Sequence, residues 1–297
     1  MTKFPRTSDV RSIGRTGTLD QLSEAPIFVI GVSRSGTTWV YDMLTAHPQV
    51  GGILESWLFS AVNGVGSLFS SAHWPHRSVG LGRFLTRELL LGHVRGFAAG
   101  IMQLALEPHH RYLVEKSPAH LYTVPLISEL FPAARFIHVL RDGRDVCVSI
   151  RAATRSWMPE WKKNQGRSTW VSAKTWKNAV RRAQRDGRAL GNRWLEVRYE
   201  SIHADPAAGV RLLYEFCKIP YTPDLVETVL DTTDFNKNYR EDERRFRRAG
   251  RVGDWQTHFS VVDAIVFNLA AGDLLKELGY EKSRCWRPSY TRAGKCL

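Results

Sequence analysis

The stretch Pro26 to Ala46, PIFVIGVSRSGTTWVYDMLTA, constrains this chain more than any other. Ile27-Phe28-Val29-Ile30 is a short apolar run rich in β-branched residues, the pattern of a buried strand. Gly31 ends it, and Val32-Ser33-Arg34-Ser35-Gly36-Thr37-Thr38 leads into an amphipathic run that reads as a helix to Ala46. Strand, glycine-containing loop and helix N-terminus together make an anion cradle. The first N–H groups of a helix lack internal partners, and the macrodipole adds partial positive charge there. Gly36 lets the backbone approach the anion. Ser35, Thr37 and Thr38 add hydroxyl donors, and Arg34 adds a full charge on a planar fork. The spacing, G-x4-G-T-T, departs from the nucleotide P-loop where Thr37 replaces the lysine that reaches the β- and γ-phosphates. A standard ATPase or GTPase is disfavoured.

The rest of the chain repeats the alternation. The pattern predicts strands at Tyr112–Lys116, Arg135–Leu140 and Trp194–Tyr199, and a short strand or turn at Gly51–Glu55 that places Glu55 near the mouth of the cradle. It predicts helices over about 81–106, 124–131, 143–150, 169–190, 207–217 and 261–278. Residues 60–80 read as a loop, 151–170 as a flap holding Trp157, Trp161 and Trp170, and 239–251 as a charged loop. Strands alternating with helices imply a three-layer α/β/α fold around a central parallel sheet. Ligands of such sheets lie beyond the C-terminal strand ends. Arg34, Lys116, Arg141 and Tyr199 all fall at or just past such ends.

Composition narrows the partners. With 297 residues and 43% hydrophobic content, the chain can build one large domain, here 26–297 after a basic lead-in of 1–25. A net charge of +13 and a pI near 9.8 point to an anionic partner. Four cysteines at 147, 217, 285 and 296 form no C-x2-C pair, which disfavours zinc and suits reduced thiols in the cytoplasm. The N-terminus carries no apolar core of a secretory signal, and nowhere do about 18 apolar residues run together.

Two further anion signals follow. Arg141 ends a predicted strand and Ser149 lies on the helix after it, so the two can pinch one phosphate. Arg247-Arg248-Ala249-Gly250-Arg251-Val252-Gly253-Asp254-Trp255 is a basic glycine loop able to close over a nucleotide. Each is also compatible with a solvated surface turn.

Taken together, residues 26 to about 280 resemble the sulfotransferases that use 3′-phosphoadenosine 5′-phosphosulfate (PAPS). VSRSGTTW resembles that family's 5′-phosphosulfate loop, VLRDGRDVCVS its 3′-phosphate motif, VRYESI the segment whose tyrosine lies by adenine, and RRAGRVGDW its late R-K-G-x-x-G-D-W motif. Ala249 departs from the usual lysine, leaving Arg248 and Gly250. The resemblance implies a donor site of Arg34, Ser35, Gly36, Thr37, Thr38, Trp39, Arg141, Ser149, Tyr199, Arg248 and Gly250, with 3′,5′-adenosine diphosphate (PAP) as product. Arg34 stands where the phenol and steroid enzymes have lysine, and Lys116-Ser117-Pro118 replaces their K-T-H. The resemblance to the arginine-type branch implies Glu55 as general base and Lys116 and Arg34 as cations on the sulfuryl group. His120 is the alternative base. Sulfuryl transfer is an in-line displacement dominated by positioning and electrostatics. The group carries less charge than a phosphoryl, so no metal is expected. The acceptor implied is a small molecule, glycan or lipid bearing a hydroxyl or amine, not nucleic acid. The rival readings are a P-loop kinase-like enzyme and a non-enzymatic polyanion or nucleic-acid binder.

Overall fold

A computed structural model describes residues 25–60, 85–234 and 250–282. The expected lead-in and the expected loop at 60–80 lie almost wholly outside these residues, as do Arg247, Arg248, Ala249, Cys285 and Cys296. Five strands, β1 (Ile27–Gly31), β2 (Val50–Leu54), β3 (Tyr112–Lys116), β4 (Arg135–Leu140) and β5 (Trp194–Arg198), form one sheet in the order β2-β3-β1-β4-β5. Every pairing is parallel. The sheet is the expected one. β1 lies at its centre and all five of its residues are buried, which is why its sequence shows an unbroken apolar run rather than alternation.

Helices cover both faces. Successive β1 side chains point to opposite sides. Ile27 and Val29 pack with α1 (Thr37–Thr45), α6 (Tyr199–Ala204), α7 (Pro206–Cys217) and α8 (Pro223–Thr232). Phe28 and Ile30 pack with α2 (Arg87–Gln103), α3 (Val124–Leu130), α4 (Gly143–Ser156), α5 (Thr169–Arg188) and α10 (Val261–Glu277). A single turn, α9 (Trp255–His258), precedes α10, which starts on a capping box between Ser260 and Asp263. Among the described residues no helix is long and apolar enough to cross a membrane.

Several expectations need correction. The segment 151–170 is not a flap: α4 continues to Ser156, Pro159–Lys163 is a 3₁₀ turn, and α5 begins at Thr169. The buried stripe Val146, Ile150, Ala153, Thr154 keeps helical spacing past Ile150, and the arginines at 151 and 155, interleaved with it and following it, hide it in the sequence. α8 was not expected, although Thr222 caps it through Leu225 N and Pro223 opens it, both ordinary start signals. Tyr199 opens α6 instead of closing β5. α2 begins at Arg87, capped by Thr86, and ends at Gln103.

Phe28 fixes the inner face of the central strand. It is fully buried, stacks on Phe136 with ring centroids 5.5 Å apart, and meets Phe59 edge-on at 5.5 Å. Phe28→Ala is expected to lower unfolding free energy by roughly 3–5 kcal/mol. Urea denaturation checks this, and a loss below about 1 kcal/mol would mean the ring cluster does not hold the sheet.

Candidate active site

The turn after β1 curls through two left-handed residues, Arg34 (φ 74°) and Gly36 (φ 98°). Only glycine fits at 36. A Cβ there would lie 2.3 Å from the Tyr199 ring, in a backbone region that L-residues already avoid. Gly36 is also the N-cap of α1 and supplies no side chain to cap it, so the helix start is left to another acceptor. Arg34 Nε donates to Ser149 Oγ at 3.1 Å, and its guanidinium lies 5.5 Å from the centre of the Trp157 ring.

Arg141, at the end of β4, joins the parts. Its Nη1 donates to the Arg34 carbonyl at 3.3 Å and its Nη2 to the Arg251 carbonyl at 2.8 Å. The guanidinium sits 4.3 Å from the Tyr199 ring centre, while the buried Nε has no hydrogen-bond partner among the described residues. Tyr199 donates to the Gly250 carbonyl at 2.6 Å, and Trp39 meets its ring edge-on at 5.6 Å. A second anchor holds the late loop. The Asp145 carboxylate accepts from Gly253 N at 2.8 Å and Trp255 N at 2.9 Å. Arg144 pairs with Asp142 at 2.7 Å and lies 3.9 Å over the Trp255 ring.

On the opposite side, Glu55 follows β2 in a left-handed conformation (φ 56°). Its N–H donates to the Lys116 carbonyl at 2.7 Å, and its carboxylate accepts from Lys116 Nζ at 2.5 Å. The Glu55 side chain is 35% exposed and that of Lys116 1%. Burial pulls the Lys116 ammonium below the usual lysine range, and the Glu55 carboxylate opposes the shift.

These residues border one cavity of about 630 Å³. Arg34, Gly36, Thr37, Thr38, Trp39, Glu55, Arg141, Ser149, Tyr199 and Gly250 all line it. Two predicted residues do not. Lys116 stands behind Glu55, and the Ser35 hydroxyl is buried without a partner among the described residues. Arg248 lies outside the described residues. His120 is not at the cavity: it is fully buried, its Nδ1 lies 2.8 Å from Glu115 Oε2, and its Nε2 accepts from Phe59 N at 3.3 Å. That acceptance fixes the proton on Nδ1. Glu115 is occupied as well, by Ser56 and Ser117 hydroxyls at 2.7 and 2.6 Å.

Sequence reasoning missed Asp145 and His258, which also line the cavity; Trp57, Trp157, Trp161 and Gln165, lining it too, fall in the segments of about 56–110 and 155–170 whose aromatic-rich sequence suggests an acceptor pocket. The repeated RDGRD charge pattern hides Asp145, because its acidic residues do different work: Asp142 caps α4 and Asp145 faces the late loop. Among the described residues no group of three or more histidines, cysteines or carboxylates could hold a metal ion.

Comparison with known proteins agrees with this geometry. A model described as "Sulfotransferase family" matches residues 26–223. A protein-tyrosine sulfotransferase of Drosophila melanogaster is 29% identical over 202 residues, 66% of this chain and 38% of that protein. Protein-tyrosine sulfotransferase 1 of Danio rerio is 28% identical over 196 residues, 66% and 53% of the two chains. The chain thus spans about half or less of those relatives. The nodulation protein NoeE of Sinorhizobium fredii is 26% identical over 282 residues, 86% of this chain and 66% of that protein. Among solved structures, the sulfotransferase domain of a Synechococcus olefin synthase superposes with a TM-score of 0.55 at 17% identity, covering 87% of this chain and 95% of that one. A mouse sulfotransferase complexed with PAP gives 0.53 at 17% identity, covering 88% and 93%. At such identities these two show likeness of fold.

Asp145 yields a pH test. Burial, aided by Asp142, pushes its carboxyl up to about 6. The folded protein therefore keeps the proton where the unfolded chain has lost it, so this group's contribution is full below about pH 4 and is lost as pH rises through about 6. Unfolding free energy of the parent, measured against Asp145→Asn, should fall by roughly 2–3 kcal/mol across that window. Parallel pH curves for the two proteins would show that Asp145 ionises freely.

Proposed function

Because the chain belongs to the sulfotransferase family, we propose that its cavity takes PAPS as sulfuryl donor and passes the group to an acceptor hydroxyl or amine. The observation that carries this reading is the convergence on one cavity of an open helix start and a buried arginine with a spare donor. The residues fit a donor with two separate anionic groups. Gly36, Thr37 and Thr38, with the backbone at Ser35, hold the 5′-phosphate at the start of α1. Arg141 and Ser149 hold the 3′-phosphate, where Arg141 Nε has a hydrogen to give. Trp39 and Tyr199 receive the adenine, beside Gly250, whose carbonyl Tyr199 holds.

When bound, the donor supplies a sulfuryl group on a good leaving group. In the net reaction the acceptor oxygen or nitrogen bonds to sulfur, and the bridging S–O bond breaks with its electrons going to the 5′-phosphate. The acceptor proton goes to Glu55. Glu55 suits this task because it combines partial exposure at the cavity edge with a fixed backbone. Arg34, tethered by Ser149, stabilises charge at the bridge. Lys116 acts through its partner. Proton uptake neutralises Glu55 and leaves the buried Lys116 charge uncompensated behind it, so that its field acts on the sulfuryl oxygens across Glu55. His120 keeps a structural role beneath this pair.

The test is to screen radiolabelled PAPS against hydroxylated metabolites, glycans and lipids, then use the acceptor found. Glu55→Gln is expected to lower turnover by roughly 10²–10⁴-fold and to leave PAP affinity nearly unchanged. His120→Gln is expected to lower the melting temperature and leave the folded enzyme's turnover within about ten-fold of the parent. An active Glu55→Gln would overturn the assignment of the base, and the absence of label transfer to any acceptor would count against the activity.

A further inference from the structure

Two depressions that the donor site does not use adjoin the cavity. The first, about 180 Å³, is bordered by His258 and Arg155, and His258 also lines the main cavity. The second, about 640 Å³, shares Arg155 and adds Lys162, Arg167 and the start of α5 at Ser168 and Thr169. The three share lining residues in turn, His258 between the cavity and the first depression and Arg151 and Arg155 between the first and the second, and so mark out a path of adjoining hollows.

The charge along this path is one-sided. Among the described residues, Arg155, Lys162, Lys163 and Arg167 make no ion pair. Cations elsewhere on the same layer are neutralised locally: Lys177 by Asp273, Arg181 by Asp273 and Glu277, and Arg151, in the wall of both depressions, by Asp263. The only acid between Arg155 and Arg167 is Glu160, on the 3₁₀ turn. Unneutralised cations around a concave wall focus positive potential into it. The wall is also built, not draped. Gly166 N donates to the Trp161 carbonyl at 2.8 Å, and a Cβ on Gly166 would meet Thr154 at 2.3 Å. Trp157 and Trp161 sit with ring centroids 5.9 Å apart and line the main cavity, Trp161 on the same 3₁₀ turn as Lys162.

We infer that this path is a second anion site, and that it takes the anionic groups of an acidic saccharide acceptor. Indole faces carry negative π density, which suits the C–H face of a sugar ring. The cations beyond them suit its sulfate or carboxylate substituents. The two indoles line the cavity that Glu55 also lines, and the cations line the depressions beside it. The inference rests on the sulfotransferase reading of the same cavity.

The experiment is calorimetric titration of the full chain with a sulfated heparin tetrasaccharide, with its desulfated, N-acetylated counterpart, with an acidic peptide of equal charge, and separately with PAP. Ionic strength is held constant. The triple variant Arg155→Ala/Lys162→Ala/Arg167→Ala is expected to lose roughly ten-fold in affinity for the sulfated tetrasaccharide, the scale of several exposed charge contacts. It should keep PAP affinity within about two-fold. A control triple, Arg185→Ala/Arg188→Ala/Lys276→Ala, removes the same charge elsewhere and should bind like the parent. Arg155→Gln alone should lose a smaller part, which guards against misfolding of the triple variant. Equal losses in the two triples, no loss in the first, or tighter binding of the acidic peptide would overturn the inference. A parent that binds the tetrasaccharide through these cations but not PAP would overturn the sulfotransferase reading and leave the anion site standing.

Discussion

The site depends on how the Arg141 guanidinium is satisfied. It is a charge 7% exposed at the end of the strand beside β1, and its hydrogen bonds go to two main-chain carbonyls, one on the cradle and one on the late loop. A buried charge of this kind is costly unless its donors are met. Carbonyls meet them without cancelling the charge, so the guanidinium keeps its positive charge at the cavity wall. The same side chain lies over Tyr199, whose ring fills the space above Gly36. Segments far apart in sequence are thereby locked to one another. The Arg141 carbonyl is itself held by Trp176 Nε1 at 3.1 Å, which ties the arrangement to the helix layer below.

The sheet makes this possible. From β1 the chain travels to one edge for β2, returns for β3, and crosses to the other side for β4 and β5. Side-chain groups from β1, β3 and β4 therefore reach the same end of adjacent strands, where the strand order reverses. Glu55 and Lys116 meet because β2 and β3 end in register, Leu54 beside Lys116. Two electrostatic halves result: a cationic side built on Arg34 and Arg141, and a carboxylate on the acceptor side with its charge shared by a buried lysine.

Much of this was legible because it is local. The cradle is contiguous, so its glycine, hydroxyls and arginine declare themselves within a few residues, and the strands are buried runs with clear ends. Arg141, Ser149, Tyr199 and Gly250 were legible as motif members, and the structure brings them together. What stayed hidden depends on partners distant in sequence. Nothing near Asp145 shows that its acceptors serve Gly253 and Trp255. His120 has the composition of a catalytic base, and only the fold puts Glu115 and Phe59 around it. The same applies to Lys116, which looks like a cavity residue from its strand-end position and is covered by Glu55. The basic stretch after Ile150 read as irregular because its charges mask a helix whose buried side is small: Ala153 and Thr154.

The central claim is that the open helix start and Arg141 receive two separate phosphate-type groups of one nucleotide. The most direct measurement is thermal unfolding of the full chain with PAP, ATP or adenosine 5′-monophosphate, without added metal. Ligand that binds the folded state alone raises stability by mass action, about 2.7 kcal/mol at a hundred times its dissociation constant. The account predicts a clear rise in melting temperature with PAP and little or none with the other two, which lack the 3′-phosphate. A rise with ATP equal to or larger than that with PAP would contradict it.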